Sequence, residues 1–181
     1  MADPDVVEKL DVFDRALVVI YRSAITLAAL YFLLAAGVWF AWSIEPQRLV
    51  LLMLSATMMA TSLHIYAKII RYLLLLSTLL GILWVAVGAS LGIAAHPLVA
   101  EGLLLVTVSG VAYKESHCFR VPGLQWMPLL LLVLVLLRYL HSPVLAPGVS
   151  LVAAVLMGYL SIKKWQMPLY FDIGDRSKYQ N

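Results

Sequence analysis

The sequence contains few charged residues, which is unusual for a soluble protein. Lys, Arg, Asp and Glu make up 13% of the 181 residues, while 63% are hydrophobic. The mean hydropathy is +0.93. Soluble domains are about half apolar and about a quarter charged. The apolar residues also form long blocks with most of the charge between them, which is typical of an α-helical membrane protein.

Cysteine is almost absent, and so are the motifs of the common enzyme classes. Cys118 is the single cysteine, so the chain cannot form an internal disulfide bond. The sequence has no Walker loop, dinucleotide-binding glycine motif, HExxH or CxxC metal motif, or nucleophile elbow. The net charge of +3 is not arranged as a basic stripe with interleaved aromatics, so nucleic acid is not an expected partner. We expect a lipid bilayer with anionic headgroups instead.

Six apolar runs predict an all-α, polytopic transmembrane bundle in one domain, residues 23–162. The predicted spans are 23–44, 47–67, 72–95, 97–113, 127–140 and 147–162. The last three are shorter than the about 20 residues that a hydrocarbon core of about 30 Å requires, so we expect local thinning or snorkelling of Arg138 and Lys163. Residues 1–22 predict an amphipathic cytoplasmic helix, and residues 163–181 a cytoplasmic tail.

The distribution of basic residues predicts the orientation of the bundle. Of the 13 Lys and Arg residues, 11 lie in the N-terminal segment, the C-terminal tail and the loops after the second and fourth spans. Because cytoplasmic loops are enriched in Lys and Arg, both termini are expected in the cytoplasm. An even number of spans also places both termini on the same side of the membrane.

Three arginines suggest an internal repeat. Arg22, Arg71 and Arg120 open the first, third and fifth spans and are each 49 residues apart. The spacing would suit three copies of one helical hairpin. Any six-helix protein with short loops also places cytoplasmic arginines at such intervals, and we favour this simpler interpretation.

The third predicted span has one face of small residues. They are Ser77, Gly81, Gly88 and Gly92. Small residues let helix backbones approach closely in lipid. We therefore expect this face to contact another helix, and it is a candidate contact with other membrane subunits.

The candidate functional site is a group of polar residues in two cytoplasmic loops. It comprises His64, Tyr66, Lys68, Arg71, Tyr113, Lys114, Glu115, His117, Cys118 and Arg120. Glu115 is the only carboxylate among these cations, so we expect it to stay ionised beside a partner, with Arg71 as the candidate. A metal site is disfavoured because the spacing matches no standard ligand set. A Cys118 thiolate activated by His117 and Arg120, an anionic ligand site and simple interfacial anchoring are the open interpretations, with anchoring favoured.

Four segments resemble one family of bacterial membrane proteins. Residues 112–119 resemble a Tyr-x-Lys-Glu-x-x-Cys-Phe signature, and residues 172–177 resemble an Asp-Ile-Gly-Asp-Lys-Ser tail. With residues 20–22 (Ile-Tyr-Arg) and 64–66 (His-Ile-Tyr), they are similar to the uncharacterised integral membrane family called domain of unknown function 2301. The resemblance implies a bacterial membrane protein and supplies no activity. We expect the protein in the inner membrane, and the sequence indicates no cofactor.

The function class is predicted from what the spans contain. No ionisable side chain lies deep in a predicted span, whereas ion-coupled transporters usually carry such groups near the midplane. Glu101, near the start of the fourth span, is explained by the helix dipole. We expect a non-enzymatic accessory, assembly or scaffold subunit. The alternatives are a small-solute or ion permeation protein, and an enzyme or ligand site at the cytoplasmic face.

Overall fold

The computed structural model describes residues 9–37, 67–91, 97–119 and 121–173. The side chains of residues 88–91, 97 and 119 are not described. Five α-helices lie in this part of the chain: α1 (Val12–Gly37), α2 (Lys68–Leu91), α3 (Pro97–Phe119), α4 (Met127–Tyr139) and α5 (Leu145–Trp165). Short 3-10 helices at Leu124–Trp126 and Leu169–Asp172 precede α4 and follow α5. The described residues contain no strand, so the all-α prediction is confirmed there.

Three of the described helices are long and apolar enough to cross a membrane. They are α1, the Lys68–Val87 part of α2, and α5. The 13 residues of α4 extend about 20 Å at about 1.5 Å per residue, which is shorter than a hydrocarbon core of about 30 Å. The predicted second span, 47–67, lies almost entirely outside the described residues. The structure therefore confirms an apolar helical bundle, but six transmembrane helices are not confirmed.

The first helix begins well before the predicted first span. It runs from Val12 to Gly37 without a break. Asp11 caps this helix, because its side chain accepts a 2.7 Å hydrogen bond from the backbone N–H of Asp14. The Asp14 side chain in turn accepts a hydrogen bond from the backbone N–H of Asp11, which completes a capping box. Residues 12–22 are therefore the first turns of α1, and a separate N-terminal amphipathic helix is not confirmed.

The bundle is held together by apolar packing around α1 and α5. These two helices make the most extensive contact in the described structure, α2 packs against α3, and α4 lies between α3 and α5. Ala24 and Ala28 of α1 and Ala153 of α5 are fully buried in the hydrophobic core. This packing brings the start of α1 beside the end of α5.

The predicted small-residue face of α2 packs against α3 of the same chain. A Cβ atom at Gly81 would lie 3.4 Å from the Leu103 Cβ, so glycine permits a closer helix contact than a larger residue would. The Ser77 hydroxyl donates a hydrogen bond to the Leu103 carbonyl oxygen. The expected helix contact is therefore confirmed at these two positions. Gly88 and Gly92 lie outside the residues whose side chains are described, and a contact there with another subunit stays a prediction.

Candidate functional site

A cluster of five charged residues and one tyrosine, most of them buried, joins three helices to the segment after α5. We call it the tail cluster, and it consists of Tyr21, Arg22, Lys114, Glu115, Lys164 and Asp172. All of them except Lys114 are less than a tenth exposed. Burying an ionised group is costly unless it is paired and hydrogen-bonded, so the contacts within the cluster determine its stability.

Glu115 on α3 is the centre of the tail cluster. Its Oε2 atom lies 2.8 Å from Lys164 Nζ, and its Oε1 atom lies 3.4 Å from Lys114 Nζ. The Tyr21 hydroxyl donates a hydrogen bond to Oε1. Lys164 therefore forms a close ion pair with Oε2, and Lys114 forms a longer one with Oε1. The two ammonium groups also lie 4.9 Å (Lys164) and 5.4 Å (Lys114) from the Tyr21 ring centre, which adds cation–π attraction.

The neighbours of Glu115 keep it ionised, as predicted. The predicted fourth span ends at residue 113, so Glu115 lies outside it. Burial alone would raise the pKa of Glu115, but Lys114 and Lys164 outweigh burial and hold the pKa below its usual value. The partner differs from the one predicted, because Glu115 pairs with Lys164 of α5 rather than with Arg71.

Arg22 fixes the segment that follows α5. Its Nε atom donates a 2.6 Å hydrogen bond to Asp172 Oδ2. Its terminal nitrogens donate to the carbonyl oxygens of Met167 at 2.7 Å and Pro168 at 2.9 Å. Lys164 Nζ binds the other carboxylate oxygen of Asp172. The planar guanidinium thus binds three acceptors at once, and the chain after α5 is held against α1.

A second buried cluster, which we call the triad, lies toward the other ends of α1 and α3. It consists of Tyr31, Glu101 and Arg138, all of them buried. Glu101 Oε1 accepts hydrogen bonds from the Tyr31 hydroxyl and from Arg138 Nη1. Arg138 Nη1 also lies 3.4 Å from the Tyr31 oxygen. Arg138 therefore turns into the bundle to pair with Glu101, and the prediction that it snorkels to the interface is wrong.

Two of the predicted site residues lie on the exposed side of α3. The rings of Tyr113 and His117 are 4.7 Å apart, and His117 Nδ1 lies 2.9 Å from the Tyr113 carbonyl oxygen. Cys118 is half-buried, and it lies outside the predicted fourth span, which ends at residue 113. Burial raises the pKa of the Cys118 thiol, and the negative charge of Glu115 raises it further. The structure therefore gives no support for an activated thiolate at this position.

The remaining predicted site residues are not placed in either cluster. Lys68 and Arg71 lie in the first turn of α2, where the Arg71 guanidinium is 5.9 Å from the Tyr72 ring. His64, Tyr66 and Arg120 lie outside the described residues. Within the described part of the chain, no three His, Cys, Asp or Glu side chains are arranged to hold a metal ion.

Sequence reasoning missed four members of the tail cluster as site residues. Tyr21, Arg22 and Asp172 all lie in the segments that carry the family resemblance, as do Lys114 and Glu115. The structure brings these segments together, so the family motifs could have been used to predict that these residues belong to one site. Lys164 carried no comparable signal, since it reads as one of two lysines at the end of a span.

These features define an α-helical integral membrane protein whose buried charges pair across helices. A family model described as an uncharacterised integral membrane protein (DUF2301) matches residues 58–181. The chain belongs to this family, and the resemblance noted from its motifs is confirmed. An uncharacterised protein of Haemophilus influenzae is 37% identical over 180 residues, which covers 99% of each chain. No solved structure matches the chain.

Proposed function

We propose that this protein is a non-enzymatic accessory, assembly or scaffold subunit that acts by associating with other membrane proteins. The observation that carries the proposal is the internal pairing of the buried carboxylates. Glu101, Glu115 and Asp172 each bind basic side chains of the same chain. A catalytic site needs polar groups that remain available to a substrate. Here the buried charges hold helices together, which suits a rigid bundle that presents its surface to partners.

The outer side of α2 is the surface that fits this role. One side of α2 packs on α3, and the other side exposes large apolar residues that are 45% to 56% exposed: Leu73, Leu76, Leu80 and Leu83. Helix association in a bilayer depends on side-chain packing rather than on exclusion of water. Among the described helices, α2 packs extensively only on α3, so its outer apolar side is a suitable docking element.

Photo-crosslinking in the native membrane tests this proposal. A photoreactive residue in place of Leu76 or Leu83 is expected to crosslink to one other membrane protein in a fixed ratio. Leu74 lies on the same helix but is 3% exposed and contacts Gly110 of α3, so that position should crosslink only within the chain. The proposal fails if both exposed positions give only lipid adducts and the gently solubilised protein is a monomer.

We also infer an inner-membrane location with six spans and both termini in the cytoplasm. The charge distribution supports this orientation. Lys114 and Lys164, which are expected on the cytoplasmic side, meet in the tail cluster. Arg138, which is expected on the opposite side, lies in the triad. The separation of the two clusters is consistent with this orientation. Single-cysteine labelling at position 142 in a Cys118→Ser background tests the orientation. Labelling of position 142 only from the cytoplasm would contradict it.

Permeation has a weaker basis than association. The parts of α1 and α3 that separate the two clusters are filled by Ile25, Ala28, Leu105 and Val108, all at most 2% exposed. A permeation path needs groups that replace water around a polar solute. A route through these helices is therefore disfavoured, and solute flux into liposomes containing the pure protein would revive the alternative. A cytoplasmic ligand or enzyme site also stays an alternative.

A further inference from the structure

A groove runs between α1 and α5 on the outer surface of the bundle. Its volume is about 340 Å³. The small lining residues Ala29, Ala154 and Gly158 are buried or half-buried, while the large ones, such as Leu33 and Val155, are 52% and 64% exposed. Small residues therefore form the floor of the groove and large apolar residues form its rims.

The groove is polar at one end only. There the hydroxyls of Thr26 and Ser161 lie 2.7 Å apart, and the Trp165 indole N–H donates a 3.0 Å hydrogen bond to Thr26. Lys163 is exposed at the same end of α5, with its ammonium 5.6 Å from the Tyr159 ring. Trp and Lys side chains are typical of the membrane interface, so this end of the groove belongs at headgroup level.

The length of the groove matches one leaflet of a bilayer. On α5 its lining extends from Leu151 to Ile162, which is about 16 Å at about 1.5 Å per residue. A hydrocarbon core of about 30 Å gives each leaflet about 15 Å. An acyl chain that starts at the polar end would therefore follow the groove to about the bilayer midplane.

We propose that this groove binds one acyl chain of an anionic phospholipid, with the headgroup against Lys163. A helix is a poorer occupant, because it is about 10–12 Å wide. The helices α1 and α5 pack more extensively than any other described pair, so the groove between them is too narrow for a helix. Lys163 follows the lining residue Ile162 and supplies an exposed positive charge at this end of the groove, whereas the adjacent Lys164 is committed to Glu115 and Asp172. Anionic lipid is attracted to such interfacial lysines.

Native mass spectrometry of the full chain in mild detergent tests the site. With phosphatidylglycerol as the probe, one lipid per chain is expected on the wild type, and at least tenfold less on Gly158→Leu. A Cβ at Gly158 meets nothing within 4 Å and Gly158 lines the groove, so a larger side chain there should occupy part of the groove. Gly148→Leu is the matched control on α5, because Gly148 also has open space but lies outside the groove. It should bind lipid like the wild type, with an unchanged thermal midpoint for both variants.

The headgroup contact is tested separately. Lys163→Gln should remove the preference for phosphatidylglycerol over phosphatidylcholine, and Lys163→Arg should keep it. Equal binding of the two lipids by the wild type would overturn the assignment of an anionic ligand. Full lipid binding by Gly158→Leu, or a photoreactive residue at Val155 that crosslinks to protein instead of lipid, would overturn the groove as its site.

Discussion

The triad and the tail cluster both bury ionised side chains, but they differ in how many partners each charge has. The triad pairs one carboxylate, Glu101, with one guanidinium, Arg138. In the tail cluster two carboxylates share three basic groups, and Glu115 and Asp172 each contact two of them. Losing one charge leaves its partner uncompensated in the triad, whereas the tail cluster retains other pairs. The number of partners, rather than burial, should therefore set how well each cluster tolerates substitution.

The largest effect is expected in the triad. Glu101→Leu should lower the free energy of unfolding by about 3–5 kcal/mol, because Arg138 is left as a buried charge without a counter-ion. Arg138→Leu should cost a similar amount. The double variant should recover most of the loss, since an apolar pair of similar volume can replace a buried ion pair. Unfolding in mixed detergent micelles measures all three, and simple addition of the two single effects would contradict the pairing.

A smaller effect is expected for Glu115→Leu, at about 2 kcal/mol, because Lys164 keeps Asp172 as a partner. The same unfolding measurement can show which basic residue is coupled to Glu115. A double-mutant cycle with Lys164→Leu should give a coupling free energy of about 0.5–3 kcal/mol. The matching cycle with Arg71→Leu should be additive within about 0.5 kcal/mol. Equal coupling to Arg71 would restore the loop-to-loop pair predicted from the sequence.

The helices and the ionised state of Glu115 could be predicted because their signals are local. Apolar blocks mark helices without reference to other parts of the chain, and Lys114 stands next to Glu115 in the sequence. The partners could not be predicted, because they depend on which helices are neighbours. Lys164 reaches Glu115 only when α5 lies close to α3, and the hydropathy pattern does not specify this arrangement.

Arg138 shows the same limit at the other cluster. Near the end of a predicted span, an arginine that snorkels to the interface and one that turns into the bundle have the same sequence pattern. Only the position of Glu101 on a neighbouring helix decides between them. The separate N-terminal helix is not confirmed for a different reason. Charged residues before Arg22 suggested a separate cytoplasmic segment, whereas α1 is continuous from Val12 to Gly37.

The next effect concerns the segment after α5. Arg22→Lys replaces three directed hydrogen bonds with one point charge, so the backbone of residues 167–173 should open more easily. Amide hydrogen exchange there should be about tenfold faster, which corresponds to about 1.4 kcal/mol. Arg138→Lys is the matched control, because it alters a guanidinium in the triad and should leave exchange in 167–173 unchanged. Unaltered exchange in Arg22→Lys would show that this arginine does not hold the segment.

The smallest effects are expected from the two tyrosines, and they compare the clusters directly. Tyr31→Phe should lower the free energy of unfolding by about 1 kcal/mol, because Glu101 then keeps a single hydrogen-bonding partner. Tyr21→Phe should cost less, because Glu115 retains both ammonium groups and the phenylalanine ring keeps the cation–π contacts of Lys164 and Lys114. Each variant removes one buried hydroxyl on α1 and keeps the ring, so each is the other's control. A larger loss for Tyr21→Phe would mean that the hydroxyl, and not the pair of lysines, keeps Glu115 stable in the interior.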